Sequence, residues 1–144
     1  EAANGGKKYR PYLVKDIIAP DGTVIKHFDP VVERDLNIDP SVISLVQEGL
    51  HEVSTVGTAA AMFKDFPVPI AGKTGTAENS HGREHGWFVA YGPFDNPNIA
   101  VAVIVENAGY GATSAVPIGY KILSAAFGLD KPKTPENQPA PAQQ

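Results

Sequence analysis

Cysteine is missing from this chain, which excludes thiol nucleophiles, disulfides and thiolate metal sites. A basic surplus is missing too. The 12 Lys+Arg stand against 16 Asp+Glu, for a net charge of −4, and binding to nucleic acid or an anionic membrane would need a basic patch. No run approaches the ~18 apolar residues of a membrane span; the longest, residues 99–105, has the length of a strand. Internal repeats are absent. The opening Glu1-Ala2-Ala3-Asn4-Gly5-Gly6 has neither Met nor a basic-then-apolar leader. It reads as the start of a segment cut from something longer, with any export signal or anchor expected upstream.

What is present is enough for a folded domain. The 144 residues are 42% hydrophobic and 19% charged, unlike a disordered chain. A domain near this length buries roughly two thirds of its unfolded surface. The 14 Gly and 13 Pro predict many turns.

Residues 12–19, rich in β-branched and aromatic side chains, read as a strand. Pro20-Asp21-Gly22 is a turn, and residues 23–28 return, so 12–28 is expected to be a hairpin. Asp39 before Pro40 has the chemistry of a helix start. Val42, Leu45, Val46, Leu50 and Val53 follow at helical spacing, which predicts an amphipathic helix over 40–55. Residues 57–62 leave loop and short helix open. Residues 68–77, 87–91 and 99–106 read as strands, the last two joined by the turn Asp95-Asn96-Pro97-Asn98. Because 99–105 is apolar on both faces, it is expected to be central in a covered sheet. A helix over 114–127 ends at Gly128. From Asp130, four prolines fall among polar residues, which predicts a disordered tail over 130–144. Adjacent antiparallel strands with packed helices make the expected class α+β.

Gly72-Lys73-Thr74-Gly75-Thr76 is the segment that bears chemistry. A phosphate loop would need a Gly five residues earlier and a helix afterwards. Pro67 occupies that position, and Ala77-Glu78-Asn79-Ser80-His81-Gly82 is a poor helix. His81 and His85 have a metal-ligand spacing only if helical, but they lie in a Gly-containing loop with no evident third ligand. Ordinary loop histidines are the better reading. Trp87 and Phe88 read as core aromatics, and Glu78 and Glu84 as solvated loop charges.

Ala71 to Glu78 (Ala-Gly-Lys-Thr-Gly-Thr-Ala-Glu), His85 to Pro93 and Asn96 to Asn107 together resemble the last three strands of a class B penicillin-binding protein. Ala3 to Gly6, Tyr9 to Val14 and Gly57-Thr58-Ala59 resemble the same family, so the likeness runs over about residues 2–128. The elongation-type penicillin-binding protein 2 group is the most similar. The resemblance implies a partial penicillin-recognising serine transpeptidase fold, with residues 1–129 as the C-terminal portion of that domain. It implies that Lys73 supplies a positive charge, that Thr74, Gly75 and Thr76 bind substrate, and that the Thr76 amide belongs to an oxyanion hole. Strict strand alternation sets Lys73 on the face opposite Thr74 and Thr76.

One departure is large. The family's nucleophile sits in Ser-x-x-Lys and a second serine in Ser-x-Asn. No Lys here has Ser three residues before it, and none of Ser41, Ser44, Ser54, Ser80, Ser114 or Ser124 has Asn two residues on. The resemblance places both motifs upstream. It implies that the parent protein is a peptidoglycan D,D-transpeptidase that needs no metal or cofactor and also binds β-lactams. Its partners would be stem peptides, the rest of its own domain and the cell-wall synthesis machinery. The parent would be membrane-anchored, with this part on the extracytoplasmic face. The rival reading is a non-catalytic β-lactam or cell-wall-peptide sensor on the same fold.

Overall fold

The computed structural model describes residues 1–130. All but the first residue of the tail expected over 130–144 lie outside the described residues. The chain divides into two compact units, residues 1–50 and residues from His51 onward.

The first unit opens with a short helical turn, Ala2–Asn4, and holds four brief strands: β1 (Lys7–Tyr9), β2 (Asp16–Ile18), β3 (Val24–His27) and β4 (Val32–Asp35). β2 pairs antiparallel with β3, so the expected hairpin forms, but shorter than 12–28. Asp21 shapes its turn by accepting a hydrogen bond from the Thr23 amide at 2.9 Å. β1 pairs antiparallel with β4, a ladder that sequence patterning did not reveal. Glu33 on β4 takes Lys8 at 3.2 Å and Arg10 at 3.4 Å. Both interactions hold its carboxyl below the usual glutamate range, with the Lys8 hydrogen bond the larger cause. His27 faces its cross-strand partner Asp16, with Nδ1 2.5 Å from the carboxylate.

Helix α1 (Pro40–Thr55) has the expected bounds. Asp39 accepts from the Ser41 amide at 2.8 Å and from the Ser41 hydroxyl at 2.6 Å, the side-chain cap its sequence predicts. Those bonds lower the Asp39 pKa from its ordinary value.

The second unit contains the end of α1, a single-turn α2 (Ala60–Phe63), a three-stranded antiparallel sheet and helix α3 (Gly111–Ala126). The strands are β5 (Ala71–Ala77), β6 (His85–Gly92) and β7 (Ile99–Val105), in the order β5-β6-β7. Phe88, Ile70, Val116 and Leu123 are fully buried and anchor the core. Phe63 of α2 stacks on Phe88 at 5.7 Å. Against the same ring lies Gly119 of α3, where a Cβ would sit 2.4 Å from Phe88 Cδ1. Only glycine lets helix and sheet approach this closely.

The expectation of a central 99–105 strand is overturned. Among the described residues β7 pairs with β6 alone, and β6 is the central strand. Ile99, Val101, Val103 and Val105 share the face of Phe88, whereas Ala100, Ala102 and Ile104 are exposed. The misreading has a physical cause. Two of the three outward residues are alanines, which are apolar by class but leave little area to cover.

Candidate active-site wall

Lys73, Thr74, Gly75 and Thr76 all lie on β5. Among the described residues this strand pairs only with β6, so its other edge is open. Direct cross-strand partners share a face. Thr74 is opposite Phe88 and Thr76 opposite Gly86, while Lys73 is opposite Val89. The two threonines therefore project on the core side and Lys73 on the other, as alternation predicts. On an edge strand both faces flank the same open backbone.

The Lys73 ammonium donates to the Thr74 carbonyl at 2.7 Å, which draws its charge back along the strand. The Thr74 hydroxyl lies 2.7 Å from the Thr58 hydroxyl. Lys73 and Thr76 are exposed and Thr74 is half-buried. A side chain at Gly75 would meet the Trp87 Cβ at 3.2 Å, so the neighbouring strand as well as the open edge favours a small residue there.

The start of β5 is fixed through one carbonyl. Ile70 O accepts from Ser54 Oγ at 2.8 Å and from His51 Nδ1 at 2.6 Å. A carbonyl cannot donate, so His51 carries its proton on Nδ1. Its ring stacks on Phe94 at 4.5 Å. Beyond β5, the Asn79 amide donates to Asn107 Oδ1 at 2.6 Å, and the Asn107 backbone N–H donates to His85 Nδ1 at 3.0 Å. His81 instead meets Ser80 at 2.8 Å, so the two histidines engage different partners. Tyr91, on β6, is buried, and its hydroxyl finds no partner among the described residues. Desolvation raises its pKa from the ordinary tyrosine value.

Sequence reasoning missed three of these features: the Thr58–Thr74 pair, the His51–Ser54 grip and the His85–Asn107 brace. Each joins residues at least 16 positions apart. Gly57-Thr58-Ala59 stood out only as part of a resemblance, with no role attached.

The penicillin-binding protein transpeptidase domain matches residues 1–124. This chain belongs to that family. It is 34% identical to the peptidoglycan D,D-transpeptidase MrdA of Haemophilus influenzae, with 98% of this chain and 24% of that protein covered. It is 32% identical to penicillin-binding protein 2A of Bacillus subtilis, covering 88% of this chain and 20% of that one. Among solved structures, the ceftriaxone acyl-enzyme complex of Mycobacterium tuberculosis penicillin-binding protein A superposes with a TM-score of 0.77 at 35% identity. That match covers 88% of this chain and 30% of the other. The chain thus spans about a quarter of the curated relatives it matches. The class B resemblance and the α+β class both stand. Among the described residues, no helix is long and apolar enough to cross a membrane.

Proposed function

We propose that this penicillin-binding protein segment forms the Lys-Thr-Gly wall of a peptidoglycan D,D-transpeptidase whose nucleophilic serine lies outside residues 1–144. The observation that carries this reading is the edge of β5 that no other strand pairs among the described residues, which presents Lys73, Thr74, Gly75 and Thr76 along its backbone. An extended stem peptide adds to such an edge as a further strand. The hydroxyls of Thr74 and Thr76, on one face of the strand, suit a substrate carboxylate; the Lys73 charge on the other face favours an anionic substrate at this edge, and the Thr76 N–H suits a developing oxyanion.

In this reading a serine hydroxyl attacks the carbonyl of the penultimate D-Ala. The peptide C–N bond breaks, terminal D-Ala leaves with a proton, and an amine of a second strand takes the acyl group from the serine. A β-lactam acylates the same serine by opening its ring amide. Each step is acyl transfer by side-chain and backbone groups and calls for neither metal nor organic cofactor. On this reading the protein works at the extracytoplasmic face of the cell membrane, among the cell-wall synthesis machinery.

The test is intact mass and acylation rate with a labelled penicillin. The full-length protein should gain one adduct, and the 144-residue chain none. Lys73→Ala in the full-length protein should slow acylation by about 10²–10³-fold, the scale of losing a transition-state donor. Thr76→Val keeps its backbone amide and should lose about tenfold or less. A stoichiometric adduct on the isolated chain, or an unimpaired Lys73→Ala protein, would overturn the reading. Acylation by penicillin without turnover of a stem-peptide substrate would favour the sensor.

A further inference from the structure

We propose that Thr58 is a positioning residue for the substrate carboxylate, acting through Thr74. This rests on the reading of β5 as a substrate wall and names the group that orients one of its donors.

A hydroxyl has one proton and two lone pairs, and a carboxylate only accepts. The Thr58 and Thr74 hydroxyls are 2.7 Å apart, and either can donate to the other. If Thr74 donates to Thr58, it has no proton left for an anion. If Thr58 donates, Thr74 is held from one side and its own proton points outward. An anionic group at the β5 edge therefore selects the arrangement in which Thr58 donates.

The surroundings hold Thr58 where this requires. Before it, Gly57 donates to Glu52 O at 2.8 Å, and a Cβ on Gly57 would lie 2.8 Å from Val53 Cα, so this tight turn admits no other residue. After it, Ala59 is buried and donates to Val53 O at 2.9 Å. Thr58 itself is exposed between these two fixed neighbours. Its β-branched side chain has few rotamers to lose. Thr74 is fixed as well. Its carbonyl receives Lys73, and its cross-strand partner Phe88 is locked under Phe63 of the helix that follows Thr58.

The experiment compares acylation of the full-length protein by benzylpenicillin and by its carboxylate methyl ester, which cannot offer the anion. Thr58→Val should slow acylation by the acid about tenfold, the scale of one charge-assisted hydrogen bond. It should change the rate with the ester less than about twofold. Thr58→Ser keeps the donor and should restore the acid rate to within about threefold. Equal losses on acid and ester, or no loss on either, would overturn the proposal, as would failure of serine to rescue. Lys73→Ala in parallel separates the two readings. If it leaves penicillin acylation intact, the substrate-wall reading fails whatever Thr58 does. If it impairs acylation and Thr58→Val does not discriminate, only the positioning role fails.

Discussion

Residues 51–130 bury Phe88, Ile70, Val116 and Leu123 completely, whereas Gly6 is the sole buried residue of 1–50. Leu13, Ile25 and Leu45 in the first unit stand in solvent. Apolar residues are plentiful in both, so composition does not separate them; closure does. The second unit gains from apolar area removed from water and is sensitive to volume. The first relies on short antiparallel ladders and on the Lys8–Glu33–Arg10 cluster. Exposed ion pairs of this kind contribute little, because water and salt screen them. One region should respond to shape and the other to pH and salt.

Phe88→Ala is the hardest test of that contrast. It should cost about 3–5 kcal/mol, read from denaturant unfolding by the fluorescence of Trp87, the chain's single tryptophan. A loss under about 1 kcal/mol would mean that the core does not hold the unit together. Gly119→Ala comes next. The alanine favours helix by about 1 kcal/mol, yet its Cβ is driven into Phe88, and overpacking should leave a net loss of about 1–3 kcal/mol. Combining it with Phe88→Leu should recover part of that loss, because the ring is what the methyl strikes.

The smallest effect belongs to the first unit. Glu33 has its pKa lowered from 4.5, so its contribution is present above that value and is lost as pH falls through the lowered one. Backbone chemical shifts of Lys8 and Arg34 should move across that acid window, while those of β6 stay put. Salt near 1 M should weaken the same clasp at neutral pH. If β1 and β6 respond together, the two regions are not energetically distinct.

The parts of the fold legible in the sequence are those with local causes. Helix α1 is bounded correctly because Asp39, Pro40 and the spacing of Val42, Leu45, Val46 and Val53 all lie within one segment. The β6–β7 hairpin follows from two apolar runs around Asp95-Asn96-Pro97-Asn98. Helix α3 begins at Gly111 rather than 114, since Tyr110 already has the extended backbone that precedes a helix. The β1–β4 ladder was not legible. Its strands are three and four residues long, every residue is exposed, and so no alternation marks them. At the candidate site, Lys73 to Thr76 could be singled out as candidates because they are contiguous. Thr58 could not, because its bond to Thr74 exists only once the turn after α1 meets β5.

The seven residues of β7, Ile-Ala-Val-Ala-Val-Ile-Val, carry no charge and no proline. Among the described residues, their outer row of amides and carbonyls is unpaired. An uncharged edge rich in β-branched residues is a template for another copy of itself. For anyone preparing residues 1–144 alone, the practical hazard is self-association at high concentration through stacked Ile99–Val105 segments. A single outward Ala102→Lys would place a charge on that edge at a position already facing water, and so serve as a gatekeeper without touching the core.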